Sequence, residues 1–216
     1  MRNIVVNTFV TLDGVMQAPG APEEDRSGSF EWGGWSVNYW DEVMGKEIDD
    51  IMGNDFDLLL GRKTYEIFAA HWPFVKPDNP DYDTAIKINA ARKYVVSRTL
   101  ENANWNGSTI IKGDVAKQLA DLKMQSGPEL QVHGSGNLIQ TLLRNDLVNE
   151  LHVWAFPLTI GDGKRLFAGG TVPASFKLTN SKISTTGVII ATYERGGKIG
   201  TGSFALEDLK EAEVTG

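Results

Sequence analysis

Hydrophobic and polar positions change rhythm several times along the chain, and each change marks an element. Residues 3 to 11 alternate loosely and are rich in Ile, Val, Thr and Phe, which predicts a buried strand. The stretch LDGVMQAPGAPEEDRSGS that follows is broken by Gly, Pro and charge and predicts a long exposed loop. Ser36 then offers an N-cap, with Trp35 and Trp40 placed around it as a hydrophobic staple. From there Val37, Trp40, Met44, Ile48, Ile51 and Met52 recur at helical spacing. A helix is predicted from residue 36 to about Gly53.

Three segments share one design: FDLLLGRKTYEIF, KYVVSRTL and LQVHGSGNLIQTLL. Each is an apolar run too short for a core helix and rich in branched residues, and each stops at Gly, Ser, Arg or Thr. They read as strands ending in polar turns. Helical patterns over residues 64 to 70, 83 to 91 and 115 to 124 separate them, so right-handed crossovers and a largely parallel sheet covered on both faces are expected. After NELHVWAF and the loop PLTIGDGKRLFAGG, the runs SFKLTNSKIS and GVIIATYERG have no helix between them and predict a closing antiparallel hairpin. The fold class is therefore α/β with a mixed, mostly parallel sheet. One domain spans residues 1 to 195, and a Gly-rich, then acidic, tail covers 196 to 216.

Composition narrows the partners. With 28 acidic against 21 basic residues, the net charge of −7 argues against a nucleic-acid or anionic-membrane surface, which needs a clustered basic face. Cysteine is absent, which excludes disulfides, thiolate catalysis and cysteine zinc sites and makes the cytoplasm the expected compartment. The N-terminus is too briefly apolar for a signal peptide or membrane span. His71, His133 and His152 lack the spacing of a triad or a metal site, so no metal is expected.

Local charge points to a ligand. No acid stands between Leu130 and Arg144, although a helix begins there and Asp or Glu would stabilise its first turn. Gly134 and Gly136 allow close backbone approach, and Ser135 and Asn137 add donors beside the free N–H groups of the helix start, a setting for pyrophosphate. Ile139 replaces a third glycine, so this is not a full dinucleotide fingerprint. The other two turns supply Arg62, Lys63 and Thr64, then Ser97, Arg98 and Thr99, residues that suit a phosphate monoester such as adenosine 2′-phosphate. Together the turns favour an NADP-type ligand.

LLLGRKTYEIF, YVVSRTL and VHGSGNLIQTLL, in this order, resemble the cofactor motifs of dihydrofolate reductases. They are more similar still to those of the reductase domain at the C-terminal end of bacterial riboflavin-biosynthesis deaminase/reductases. TFVTLDGVM and FPLTIGDGKRLF resemble the same domain, and the likeness covers roughly residues 3 to 194. It implies a three-layer dihydrofolate-reductase-like fold and NADPH-dependent hydride transfer to a small heterocyclic or carbonyl substrate, pterin-like or riboflavin-precursor-like. Gly61, Arg62 and Thr64 with Ser97 and Arg98 would hold the adenosine phosphate. Gly134, Ser135, Gly136, Asn137, Leu138 and Ile139 would hold the pyrophosphate, and Thr11, Asp13 and Gly14 would lie near the nicotinamide. Similar domains pair, so a homodimer is expected, with VIIATY offering an apolar face. The alternative is an NADP(H)-binding sensor or scaffold without turnover.

One carboxylate stands out. At 100° per residue on a helix beginning after Ser36, Asp41 falls inside the apolar arc, beside a loop whose Trp35, together with Trp40, would cover a flat substrate. Burial there would raise its pKa and make it the proton donor.

Overall fold

The computed structural model describes residues 1–167 and 171–204. Its centre is one eight-stranded sheet: β1 Ile4–Thr11, β2 Phe56–Gly61, β3 Lys93–Val96, β4 Ser108–Ile111, β5 Glu129–His133, β6 Glu150–Phe156, β7 Phe176–Ile183 and β8 Ile189–Arg195, in the order β4-β3-β2-β5-β1-β6-β8-β7. All pairings up to β6 are parallel, and β8 alone runs against the rest, pairing antiparallel with both β6 and β7. The α/β class and the closing hairpin follow the sequence pattern, because buried parallel strands need apolar side chains on both faces. β4 was not foreseen: SerThrIleIle is a four-residue edge strand without a clear apolar run.

Among the described residues five α-helices cover the sheet: α1 Glu42–Ile51, α2 Arg62–His71, α3 Tyr82–Ala90, α4 Val115–Met124 and α5 Gly136–Arg144. Leu119 and Leu122 of α4 and Leu138, Ile139, Leu142 and Leu143 of α5 bury against Ile4, Val6 and Val10 of β1 on one face. On the other face, Met44 of α1 joins Trp35, Trp154, Phe156 and Ile190.

Three local expectations change. The loop after β1 is not wholly exposed: Val15, Met16, Gln17, Ala18, Asp25 and Phe30 are buried, and Gln17 donates to the carbonyls of Asp25 and Ser27 while accepting from Lys164 N. The hairpin strand carrying VIIATY is internal, between β6 and β7, and buries Ile190 and Ala191; the open edge is β7, polar and mostly exposed. The tail forms no regular element as far as residue 204, and its acidic part, 205 to 216, lies outside the described residues.

Lys93, fully buried at the start of β3, shows how tightly the sheet is covered. Its Nζ donates to the carbonyls of Asn89 (2.6 Å) and Asn106 (3.2 Å) and lies 4.3 Å from the Trp105 ring centroid. Desolvation outweighs the attraction of Asp57 and lowers its pKa from 10.5 to about 8. The unfolded chain then holds the proton more tightly than the folded one, so stability should rise as pH climbs from about 8 towards 10.5. Urea midpoints at pH 7 and pH 10 are expected to favour Lys93→Met over the parent less at the higher pH. A difference independent of pH would refute the shift.

Candidate functional site

The strand order sets four turns side by side at the carboxyl edge of the parallel strands, those following β3, β2, β5 and β1. This is where open α/β sheets bind ligands. The turn after β5 is the centre. Gly134 (φ 55) and Ser135 (φ 61, ψ 46) both take the left-handed conformation, so the chain bends sharply into α5. For serine this conformation costs free energy, and side-chain bonding offsets the cost. Ser135 Oγ accepts from Gly61 N (3.0 Å) and lies 3.0 Å from Thr64 Oγ1 and 3.2 Å from the His133 carbonyl. The β2 and β5 turns are thereby locked together.

Ser135 makes no side-chain cap on α5. The N–H groups of Gly136 and Asn137, at the first two helical positions, have no intrahelical acceptor, and no acid lies in the first turn. The expected six-residue cradle is narrower than that. Leu138 N and Ile139 N both donate to Ser135 O (2.8 and 3.0 Å), and both side chains are buried in the core, so these two residues anchor the helix and offer a ligand nothing. Gly136 is needed for a close approach: a Cβ there would stand 3.0 Å from Met16 Sδ.

The basic turns converge as the sequence suggested. Arg62 Nη1 donates to Thr99 Oγ1 (2.6 Å), joining the β2 and β3 turns, and its Nε pairs with Glu66 (2.6 Å) on the exposed surface. Arg98 is also exposed. Ser97 plays a different part from the one expected. It is buried, and its Oγ accepts from Thr99 N (3.2 Å) and Leu100 N (2.9 Å), so it shapes the turn that presents Arg98 and Thr99.

Thr11 and Asp13 also have internal work. Thr11 Oγ1 donates to Asp13 Oδ1 (2.5 Å) and accepts from Val15 N (3.0 Å). The Asp13 carboxylate accepts from Ile160 N (3.2 Å) and Gly161 N (2.8 Å), and Arg165 pairs with it at 3.5 Å. The Thr11 hydrogen bond, with the two backbone N–H groups, holds the Asp13 pKa near 2. These groups clamp the turn to the 160–165 loop. Gly14, at φ 83, makes the turn and accepts from Leu166 N (3.0 Å).

The helix expected from Ser36 begins six residues later. Residues Val37–Tyr39 form one 3-10 turn, and α1 starts at Glu42 with Asp41 as N-cap. Asp41 Oδ1 accepts from Met44 N (2.9 Å), while Oδ2 accepts from Thr185 N (2.6 Å) and Thr185 Oγ1 (2.7 Å). Its pKa is lowered, first by the Thr185 hydroxyl and then by the Met44 N–H. The expected elevation by burial is thus reversed, and the carboxylate stays ionised at neutral pH as a cap and a tie to the β7–β8 turn. Trp35 is corrected too: it is buried edge-on against Phe156 (5.1 Å), with Nε1 donating to Gln17 O (2.8 Å). Trp40 remains near half-exposed over Phe9 and Trp154, at 6.2 Å from each ring.

Sequence reasoning passed over the polar residues beneath Trp40. Asn7 pairs in register with His133 on β5 and with His152 on β6. Desolvation, helped by nearby His152, pushes the His133 ring down to about 4, so it is neutral at physiological pH. The available signal was the break that Asn7 makes in an otherwise apolar strand. No group of acidic and histidine side chains suited to a metal occurs among the described residues, and no described helix is long and apolar enough to cross a membrane.

The family model for the RibD C-terminal domain matches residues 2–190. The uncharacterized protein YyaP of Bacillus subtilis is 27% identical over 91% of this chain and 96% of its own length. The crystal structure of a riboflavin biosynthesis protein from Shewanella sp. PV-4 superposes with a TM-score of 0.63, at 25% identity, over 90% of this chain and 99% of that one. Dihydrofolate reductase from Enterococcus faecalis, complexed with NADP(H) and RAB-propyl, shares the fold with a TM-score of 0.56 at 13% identity, over 90% of this chain and 96% of that one.

Proposed function

The chain belongs to the RibD C-terminal domain family, and from that premise we propose that it is an NADPH-dependent reductase acting on a small heterocyclic or carbonyl substrate. The observation that carries the reading is the junction of three turns at neighbouring strand ends, tied by Arg62 to Thr99 and by Ser135 to Gly61 and Thr64. It sets open N–H groups and an acid-free helix start beside two exposed arginines. Such a set fits a dinucleotide that carries an extra phosphate. The E. faecalis enzyme of the same fold is complexed with NADP(H), which supports this choice of cofactor.

NADPH, when bound, supplies the hydride. The chain's own part is positional. Gly136 N and Asn137 N meet the pyrophosphate, and Arg62 and Arg98 meet the 2′-phosphate. Phe9 and Trp154, over which Trp40 lies, form the apolar surface for a flat substrate. Assembly as a homodimer in the cytoplasm belongs to the same proposal, with the open β7 edge and exposed Leu178, Ile183 and Ile189 as the pairing face.

Arg62→Ala is expected to weaken NADPH binding by about 1.5 to 3 kcal/mol, the range for hydrogen bonds to charged groups, and to leave NADH binding nearly unchanged. Calorimetric titration of both cofactors tests this, and equal affinities in the parent protein would remove the basis for NADPH. A second reading, an NADP(H)-binding protein without turnover, is favoured by one observation: Asp41, the expected donor, has both carboxylate oxygens engaged. Loss of nicotinamide absorbance with pterin and flavin-precursor substrates separates the two.

A further inference from the structure

We propose that Asn7, aided by the indole N–H of Trp154, is the specificity-determining floor of the substrate pocket and selects a flat heterocycle through a lactam edge, the adjacent N–H and C=O of a ring amide. The proposal rests on the reductase reading above.

β1 lies between β5 and β6, and Asn7 stands opposite His133 on one side and His152 on the other. Because side chains alternate along a strand, Asn7 shares its face with Phe9, and His152 shares it with Trp154. That face looks towards α1. Phe9 packs 5.1 Å from Trp154 and 6.2 Å from Trp40, and Gln131 Nε2, two residues before His133, donates to Ile51 O at the end of α1. The backbone of Asn7 meanwhile accepts from Gly134 N (3.3 Å), the first residue of the candidate pyrophosphate turn. Asn7 therefore sits where a substrate held under α1 would come nearest the cofactor turn.

Its side chain is left unmatched. Asn7 is 6% exposed and Trp154 0%, yet neither Nδ2 nor Oδ1 of Asn7, nor Nε1 of Trp154, has a hydrogen-bond partner among the described residues. Buried amides and indoles are ordinarily paired, so each exception calls for an explanation. The flanking histidines do not serve Asn7: His133 Nε2 is directed to Gln131 Oε1 and His152 Nε2 to Glu150 Oε2, both at 3.1 Å. A primary amide presents one acceptor and donors side by side, and its complement is a ligand edge with a donor next to an acceptor. The Trp154 N–H asks for one further acceptor.

Trp40, 46% exposed, lies over the neighbouring Phe9 and Trp154, its ring 16° from parallel with Trp154 at 6.2 Å. A planar ring that takes its place would find Phe9 and Trp154 as apolar walls and the Asn7 amide at its edge. A site that hydrogen-bonds a ligand group rejects analogues lacking that group far more strongly than an apolar pocket rejects a missing methylene.

The test uses 2,4-dioxopteridine, which carries two lactam edges, and its 1,3-dimethyl derivative, which has none. Both are titrated by calorimetry into the NADPH-saturated full chain. The parent protein is expected to prefer the unmethylated compound by at least 10-fold. Asn7→Leu should abolish that preference while NADPH affinity stays within about twofold, and Trp154→Phe, which keeps a smaller aromatic ring and removes the N–H, should reduce it. The phenylalanine variant keeps the test open if Asn7→Leu fails to fold. No preference in the parent, or a preference unchanged in both variants, overturns the proposal, as do a crystal structure with ordered waters on Asn7 and Trp154 and no discrimination between the two compounds. Absence of NADPH binding in the parent would instead defeat the reductase reading, so the two failures are told apart.

Discussion

Replacing Arg2 with leucine should lower the free energy of unfolding by about 3 to 5 kcal/mol, the range for breaking a buried ion pair from one side. Arg2 and Asp57 are both almost completely enclosed, and their guanidinium and carboxylate meet directly. Arg2 Nε also donates to Pro128 O (2.6 Å), its backbone N–H to Lys123 O (2.7 Å), and Asp57 Oδ1 accepts from Arg92 N (3.2 Å). The side chain thus ties the start of the chain to β2 and to the turn before β5, while the backbone N–H, which leucine keeps, ties it to the end of α4. Leucine would leave the Asp57 charge buried without its directly bonded partner, with only the more distant attraction of Lys93 remaining. Urea unfolding measures the loss, as a lowered midpoint at unchanged slope. The double variant Arg2→Met with Asp57→Leu should recover most of it, because a packed apolar pair often equals a buried ion pair. A loss below about 1 kcal/mol in the single variant would show that water reaches the pair.

The second large effect is at Gly136. Valine there is expected to weaken NADPH binding by at least 100-fold, equivalent to about 2.7 kcal/mol. Its Cβ alone would stand 3.0 Å from Met16 Sδ, and its two branches would project around the open N–H groups at the head of α5. The cradle closes for a steric reason, although no charge or donor is removed. Overpacking against Met16 should also cost about 1 to 3 kcal/mol of stability, so the titration belongs at a temperature where circular dichroism shows the variant folded. Alanine, which lacks the branches, should fall between. If Gly136→Val binds NADPH like the parent, the pyrophosphate does not lie on this turn.

The architecture was legible because its signals are local. Apolar runs that stop at Gly, Ser or Arg mark buried strands with turns at one end, and the missing acid between Leu130 and Arg144 marks an open helix start. What escaped depended on distant partners. Ser36 and Asp41 are both acceptable N-caps, and Thr185, which lies 144 residues away, selects Asp41. The same contact lowers the pKa of Asp41, so helical-wheel geometry gave the residue the wrong chemistry. Leu138 and Ile139 were grouped with the cradle because motif spacing does not distinguish a donor N–H from one already bound to Ser135 O. β4 carried too few apolar positions to be seen. Asn7 was visible as a polar break in β1, but only the register of β5 and β6 shows that its amide is enclosed and unpaired.

The central place of β1 has a consequence for synthesis. Both its neighbours, β5 and β6, are encoded far downstream, with β5 beginning about 120 residues after β1 ends. At ribosomal rates of about 5 to 20 residues per second, β1 leaves the exit tunnel roughly 6 to 24 s before β5 does. Throughout that interval Ile4, Val5, Val6 and Val10 lack the parallel partners that bury them. This window gives a chaperone time to engage the nascent N-terminal segment, and it makes slow codons between β1 and β5 a hazard for expression of the protein.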